Sequence, residues 1–196
     1  MLYIIRLLYI YKMFFVSKHK NDELICKTGN VETILNILLR SIDEDKSNSY
    51  TEYAYNITVY ILENNRLDFI NYIITNKIRK QELMSMFFIA AAVMHDHDKM
   101  KLFLDNHADI NNLDEKRDAA IYKVIYFFSL SNTIEKPDII DNVLSTIQFL
   151  LDNHADTSFI QEDIDYLINN TLDDPDICIE DAMNKKKVYE KILEMI

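Results

Sequence analysis

Glycine is almost absent from this chain: Gly29 is the single glycine among 196 residues, and there are only two prolines. Strand-rich folds use glycine and proline at hairpin turns and bulges, so this composition argues against them. The chain is 49% hydrophobic, enough to bury a core, and its length suits one domain. The composition therefore predicts a single all-α domain.

The shortage of glycine also excludes the loops that cradle phosphate groups, because neither GxGxxG nor GxxxxGK[ST] can be written from this sequence. Cys26 and Cys178 form no CxxC pair, which argues against a disulfide framework and a cysteine zinc site. Having only two cysteines, with no CxxC pair, also favours a reducing, cytoplasmic compartment. No nucleophile is accompanied by a positioned base. We expect a protein that is not an enzyme and that uses no cofactor and no metal.

A helical pattern recurs five times along the chain. The units are GNVETILNILLRS (29–41), NRLDFINYIITNK (65–77), HDHDKMKLFLDNH (95–107), NVLSTIQFLLDNH (142–154) and NKKKVYEKILEMI (184–196). Three columns of this alignment are apolar in every unit, and their spacing places them on one face of a helix. The columns are Ile34, Ile70, Met100, Ile147 and Tyr189; Ile37, Ile73, Phe103, Leu150 and Ile192; and Leu38, Ile74, Leu104, Leu151 and Leu193. A second apolar segment precedes each of the last four units, so each repeat is predicted to be a helix pair.

GNVETILNILL and FFIAAAVMHDHDKMKLFLDNHADIN resemble the ankyrin repeat, whose second helix and following loop commonly read GNxExVxxLLxxGADxN. The resemblance covers residues 22 to about 157, although Met86-Phe87-Phe88-Ile89 stands where the family has TPLH. It implies an α-solenoid of about four to five stacked helix pairs, in one domain over residues 1–196. The parts would be an N-terminal capping helix (1–20), repeats at 22–45, 50–80, 81–115 and 116–158, and a degenerate repeat or cap at 159–196. Other helix-pair solenoids, such as the HEAT type, are the alternative.

The hexapeptide LDNHAD occurs at residues 104–109 and again at 151–156. Its histidines occupy the position of the glycine that ends the second ankyrin helix; Ser41 and Lys77 occupy it in the first two units. Histidine visits the left-handed region more often than most residues, so we expect His107 and His154 to be helix caps with positive φ, not metal ligands. HDHD (95–98) aligns with Gly29 and the residues after it, and predicts a loop and a first helical turn, where acidic side chains suit the helix dipole.

Two insertions, SLSNTIEKPDIID and TLDDPDICIEDA, fall between the helices of a pair. Each contains a Pro-Asp-Ile run, and a proline followed by an acidic residue is typical of a helix start. The second helices of the last two pairs are therefore predicted to begin near residues 137 and 175. The second insertion lacks the glycine and the final glutamate of a calcium-binding EF-hand loop, so no calcium site is predicted there.

The net charge of −11 is unevenly distributed. Residues 137–184 contain twelve acidic residues and no Lys or Arg, whereas residues 1–40 contain six basic and three acidic ones. Such an acidic half repels nucleic acid and attracts a basic protein partner, or it only maintains solubility. The apolar stretch MLYIIRLLYIYKMFFV is interrupted by Arg6 and Lys12 and is shorter than the roughly 20 residues of a membrane span. We expect no span there but a helix that covers the end of the core; a signal peptide is the alternative.

Ankyrin-like arrays bind proteins on a concave surface formed by their first helices and projecting loops, so the resemblance implies a monomeric protein-binding adaptor or effector. Tyrosine is a frequent interface anchor, and five tyrosines fall on predicted first helices. They are Tyr50, Tyr53, Tyr55, Tyr122 and Tyr126. The loops Ser41–Ser49, Lys77–Lys80 and Asp109–Glu115 are the other predicted contacts, and in the last of them the candidate residues are Asn111, Asn112, Asp114 and Glu115.

Two other functions remain open at this stage. The acidic C-terminal half predicts, as an alternative, an inhibitor or immunity-type protein that blocks a basic partner. A purely structural subunit would instead self-associate. The many Ile, Asn, Lys and Tyr residues resemble the products of AT-rich genomes, and ankyrin-like chains are common in intracellular bacteria and large DNA viruses. A virulence effector or a viral protein that acts in the host cytoplasm is therefore also expected.

Overall fold

The computed structural model describes residues 24–44, 50–111, 119–135, 138–158, 160–173 and 177–196, and every regular element in these ranges is an α-helix. Residues 24–28 are helical and precede nine further helices within the same ranges. These are α1 (Val31–Glu44), α2 (Tyr50–Glu63), α3 (Leu67–Asn76), α4 (Lys80–Val93), α5 (His97–Asp105), α6 (Ala120–Ser129), α7 (Asp138–Asp152), α8 (Ile160–Asp173) and α9 (Ile179–Met195). The prediction of an all-α chain is confirmed for this part of the molecule. The predicted capping helix at residues 1–20 lies outside the described residues.

Helices contact both their neighbours in the chain and the helices two places away. Within the predicted pairs, α4 packs on α5, α6 on α7 and α8 on α9. Between pairs, the first helices α2, α4 and α6 contact one another in that order, and the second helices do so in the pairs α1 with α3 and α7 with α9. A helix with one apolar stripe must bury it against another element, and here these contacts between helices two places apart bury part of it.

The apolar columns of the repeat form much of the core. Every member of the first column, from Ile34 to Tyr189, is at most 1% exposed. In the second column four of the five residues are fully buried, the exception being half-buried Ile37. The third column is half-buried apart from Leu38. Burying one large apolar side chain stabilises a fold by roughly 1.5–3 kcal/mol, so these columns account for a large part of the packing energy.

Helix α4 is the most deeply buried helix of the described set. Six consecutive residues, Phe87–Ala92, are each at most 8% exposed. Six residues cover more than one and a half helical turns, so neighbouring elements surround this part of α4 on all sides. The first helices on either side, α2 and α6, both pack against it.

The prediction that His107 and His154 are helix caps with positive φ is confirmed. His107 has a φ of 68° and His154 a φ of 65°, both in the left-handed region. The backbone closes each helix in the same way: the His107 N–H donates to Leu104 O at 2.9 Å and the Ala108 N–H to Phe103 O at 3.0 Å. The second copy repeats both bonds, each at 3.0 Å. This pair of bonds is the Schellman motif.

The expected helix end is also found in the second unit, but not in the first. Lys77 has a φ of 54° and ends α3 as expected. Ser41, in contrast, lies inside α1 and is 3% exposed. The expected helix end at Ser41 is wrong because Ile42 also reaches the core, so burial continues the helix to Glu44. The first residues of the predicted contact loop Ser41–Ser49 are therefore helical, and Ser41 and Ile42 are buried.

The single glycine stands at the start of α1. A Cβ at Gly29 would lie 2.5 Å from the carbonyl oxygen of Ile25, which is closer than real Cβ atoms come to other atoms. The Gly29 N–H donates to this same oxygen at 2.7 Å. The next residue, Asn30, accepts hydrogen bonds from the Thr33 N–H and hydroxyl at 2.8 Å each, and so caps the helix.

The two insertions differ from each other. Helix α7 begins at Asp138, so the predicted start near residue 137 is confirmed. Helix α9 begins at Ile179, so the predicted start near 175 is wrong by one helical turn. The N-cap of α9 is Cys178, whose Sγ accepts a hydrogen bond from the Asp181 N–H at 3.4 Å.

Candidate protein-binding surface

The outward face of α6 carries a stripe of aromatic side chains. The opposite face of this helix is buried and consists of Ala120, Ile121, Val124, Ile125 and Phe128. Tyr122 and Tyr126, four residues apart, lie beside this buried face; Tyr122 is half-buried and packs against the core, whereas Tyr126 is exposed. Their rings are stacked with centroids 6.3 Å apart, and Tyr126 is 43% exposed.

Two further rings extend this stripe. Phe127 packs edge-on against Tyr126 with a centroid distance of 5.6 Å and is 38% exposed. Its other neighbour is Tyr55 of α2, whose ring stacks on it at 5.9 Å. Tyr55, Tyr122, Tyr126 and Phe127 are called the aromatic stripe below. Aromatic pairs at such distances contribute about 0.5–1.5 kcal/mol beyond their burial, so the rings of the stripe help to hold one another in place.

Tyr55 is the buried end of the stripe. It is half-buried, and desolvation raises the pKa of its hydroxyl, so it stays neutral at physiological pH. The contact between Tyr55 and Phe127 joins α2 to α6, the two helices that flank α4. Tyr55 therefore positions Phe127, while Tyr126 and Phe127 present area to solvent.

The other predicted tyrosines lie in α2. Tyr50 and Tyr53 belong to its first turn, and their side chains are outside the described part of the structure. The structure thus brings Tyr55, Tyr122 and Tyr126 together, and leaves Tyr50 and Tyr53 as predictions.

The predicted loop residues separate into two groups. Asn112, Asp114 and Glu115 lie outside the described residues. Asn111 is half-buried and bonds within the molecule: its Oδ1 accepts from the Asp156 N–H at 2.7 Å, and its Nδ2 donates to His154 O at 3.3 Å. The Asn111 side chain thus holds the two LDNHAD joints together. Its role in partner binding remains a prediction.

On α6 and in the loop after it, three exposed apolar residues were not predicted from the sequence: Phe127, Leu130 and Ile134, the last two 39% and 44% exposed. Extending the helical periodicity of α6 by one turn finds Leu130, because it follows Tyr126 by four residues. No pattern in the sequence identifies Ile134, because its exposure depends on how the loop after α6 folds.

The histidines of HDHD lie between two helix pairs. His95 Nδ1 is 3.0 Å and His97 Nε2 is 3.2 Å from the hydroxyl of Thr146 in α7, which is fully buried. The His97 ring also stacks on Phe149 at 5.3 Å. Asp96 caps α5, since its carboxylate accepts from the Lys99 N–H at 3.0 Å and pairs with the Lys99 ammonium. The predicted loop and first turn with acidic residues are confirmed.

This arrangement is a polar joint. Burial and the neighbouring His97 lower the pKa of His95. Within the described ranges, no three His, Cys, Asp or Glu side chains converge where a metal ion could bind.

A second buried polar group lies beyond the stripe. Asp181 of α9 is 7% exposed and accepts from the Thr133 N–H at 2.7 Å and from the Thr133 hydroxyl at 2.6 Å. Its other oxygen is 2.9 Å from the ammonium of Lys185, which is 3% exposed. Burial acts to raise the pKa of Asp181, but the bonds from Thr133 and Lys185 lower it below its ordinary value. Asp181 therefore fixes the loop after α6 to the start of α9.

Comparison with family models, with curated proteins and with solved structures finds no match to this chain. Among the helices in the described ranges, none combines the length and the apolar character that crossing a membrane would need.

Proposed function

We propose that this chain is an ankyrin-like stack of helix pairs that binds a protein partner and is not an enzyme. Support for the stack comes from its packing: equivalent apolar columns are buried, and helices two places apart are in contact. Further support comes from the joints, where the two LDNHAD copies have the same backbone geometry and are bonded through Asn111. Repeats of this kind contact mainly their neighbours and present a long surface to partners.

The aromatic stripe is the observation that carries the binding function. Tyr126 and Phe127 expose large apolar rings that are already held in place by Tyr122 and Tyr55. Ordered aromatic side chains lose little entropy on binding and are frequent interface hot spots. The proposed contact surface is therefore the outward face of α6 together with Tyr55 of α2.

The test is a capture experiment in which the full chain is compared with two variants. In Tyr126→Ser the stripe loses its most exposed tyrosine. In the matched control, Tyr166→Ser, a tyrosine that is 67% exposed on α8 is removed instead. We expect a partner protein that the parent and the Tyr166 variant both retain and that the Tyr126 variant loses. If all three chains capture the same proteins equally well, the α6 surface is not the binding site.

The acidic blocking function is the second candidate, since Glu162, Asp165 and Glu180 are among several exposed carboxylates in the C-terminal half. Binding steered by such charges weakens steeply as salt rises, whereas contact with the aromatic stripe does not. Measuring the affinity of a captured partner at low and at high ionic strength separates the two.

A further inference from the structure

His95 and His97 converge on one buried hydroxyl that belongs to another helix pair. Nδ1 of His95 is 3.0 Å and Nε2 of His97 is 3.2 Å from Oγ1 of Thr146, which is fully buried in α7. The His97 ring also stacks on Phe149 of α7, with centroids 5.3 Å apart. His95, His97 and Thr146 form the polar joint described above. They connect the third helix pair, α4 and α5, to the fourth, α6 and α7.

The polar joint is complete when neither histidine is charged. A threonine hydroxyl has one hydrogen to donate and can also accept, whereas a neutral imidazole has one N–H donor and one acceptor nitrogen. The Thr146 hydroxyl can therefore donate to one ring and accept from the other. One added proton leaves both bonds intact, because the charged ring donates to the hydroxyl and the hydroxyl donates to the neutral ring.

A second proton breaks this pattern. Both rings are then donors, so the hydrogen of the Thr146 hydroxyl has no acceptor left in the joint. Two positive charges also face one oxygen at a half-buried site, where charges repel each other more strongly than in water. His95 is the ring on which this acts, since burial, and then the charge of His97, lower its pKa. The closed joint therefore accommodates one added proton but not two.

The segment that carries the histidines contains one carboxylate close to them, that of Asp96. Burial acts to raise the pKa of Asp96, but the bonds from Lys99 and the charges of Lys99 and His97 lower it. This carboxylate is already paired with the Lys99 ammonium, so it suits one nearby added charge and not two. Asp98, the next acidic residue, is exposed, and solvent screens its charge.

The helices packed around the joint supply no further carboxylate to it. From α7 the contacts come from Thr146 and Phe149, which carry no charge. The aspartates of α7, at positions 138, 141 and 152, are all exposed. The buried end of α4 is apolar, and α6, which packs on α4 and α7, carries Lys123, whose positive charge cannot neutralise an added proton.

We propose that the polar joint is an acid-sensitive connection that lets the fourth helix pair move away from the third when both histidines are protonated. This inference goes beyond the proposed binding function and does not depend on it. The first helices α4 and α6 pack on each other through apolar residues that do not titrate, so the two pairs stay joined there. The movement is a rotation about that contact, and it separates the start of α5 from the middle of α7.

The proton balance is tested by following the ring signals of both histidines by NMR in the intact chain, from about pH 8 to 4. We expect two separate steps, because the first proton lowers the proton affinity of the other ring about tenfold. His97→Gln removes one titrating ring and keeps a polar side chain, so His95 should then titrate at a higher pH. His107→Asn is the control, since it changes an exposed histidine after α5 and should leave the titration of His95 unchanged. If His97→Gln also leaves it unchanged, the two rings do not share the hydroxyl and the proposal fails.

Contacts between rings show whether the joint opens locally. The nuclear Overhauser contact between the rings of His97 and Phe149 should be lost at the second step. The contact between Phe87 and Phe103, whose centroids are 5.5 Å apart within the third pair, should persist. Loss of both contacts together would show that the whole chain unfolds, and persistence of both would show that the joint stays closed. Either result overturns the proposal.

Two replacements of Thr146 test the shared hydroxyl. Thr146→Ser keeps the hydroxyl and should keep the two separate steps. Thr146→Val has a similar shape without the hydroxyl, so both ring nitrogens lose their partner and the contact between His97 and Phe149 should weaken already at neutral pH. Urea unfolding at neutral pH shows whether each variant is folded. If the folded Ser and Val chains titrate alike and keep the same ring contact, Thr146 does not hold the joint together and the proposal is wrong.

Discussion

The side-chain oxygen of Asn111 accepts a hydrogen bond from the backbone N–H of Asp156 at 2.7 Å. Asn111 follows the first LDNHAD and Asp156 ends the second, so this bond links equivalent joints of two successive units. Each joint also contains the same internal turn: the Asn111 N–H donates to Asp109 Oδ1 at 3.0 Å, and the Ser158 N–H donates to Asp156 Oδ1 at 2.9 Å. The repeated sequence therefore encodes a repeated loop whose copies bond to each other.

Replacing Asn111 with Ala should destabilise the protein by about 1–2 kcal/mol, because the Asp156 N–H and the His154 carbonyl both lose a partner. Hydrogen exchange at the Asp156 amide should become faster, which NMR can measure. Asn153→Ala is the control, since Asn153 Nδ2 bonds only within its own helix, to Phe149 O at 2.8 Å. If both variants leave exchange at Asp156 unchanged, Asn111 does not link the joints.

At position 154, Gly and Ala should have opposite effects on stability. His154 is exposed, so both substitutions remove a side chain with few contacts, but its φ of 65° favours glycine. We expect His154→Gly to be about 1 kcal/mol more stable than His154→Ala in urea unfolding, the reverse of their order inside a helix. Each variant is the control for the other, because Gly and Ala at position 154 differ only in the Cβ atom. A more stable Ala variant would mean that the left-handed cap is absent in solution.

The sequence allowed the core and the joints to be predicted because both depend on local periodicity. The first apolar column, from Ile34 to Tyr189, is fully buried in all five units, and His107 and His154 have the predicted backbone conformation. The errors arise where a nonlocal contact overrides the local signal. Burial of Ile42 extends α1 past Ser41, and the bonds of Asp181 to the distant Thr133 accompany a later start of α9.

The candidate surface could be predicted only in part for the same reason. Tyr122 and Tyr126 lie one turn apart on one helix, so a helical pattern finds both. The contact between Tyr55 and Phe127 requires α2 and α6 to meet across α4, and no spacing along the chain contains that information. Ile134 depends likewise on the buried hydrogen bonds of Thr133.

The joint between His95, His97 and Thr146 should make stability depend on pH. The pKa of His95 is lowered in the folded protein, so the unfolded chain binds a proton more readily. Stability is therefore unaffected well above the ordinary histidine pKa of about 6.5 and is lost as the pH falls through that value. Urea unfolding between about pH 7.5 and 5 measures the loss.

Asn is the informative replacement for His95, since it tolerates the φ of 58° and does not titrate. His95→Asn should show a smaller loss of stability between neutral and acidic pH than the parent. His154→Asn changes an exposed histidine with the same backbone conformation and should behave like the parent. If the two variants have the same pH dependence, the polar joint around His95 is not the cause of the loss of stability at acidic pH.

The buried pair of Asp181 and Lys185 should be strongly coupled, unlike the exposed pair of Lys186 and Glu190 on the same helix. Lys185→Met leaves a buried carboxylate without its cation and should destabilise by about 3 kcal/mol or more. Asp181→Asn leaves the ammonium unpaired at a similar cost. The double variant should lose clearly less stability than the two single variants lose together, because it buries no charge. Lys186→Met should change stability by less than about 0.5 kcal/mol. A double-mutant cycle in urea gives the coupling energy, and a value near zero would show that the pair is solvated.

The pKa of Asp181 is lowered in the folded protein, so the stability that this carboxylate contributes is present above the ordinary aspartate pKa of about 4. That contribution is lost as the pH falls below this value, and Asp181→Asn should remove that part of the acid sensitivity.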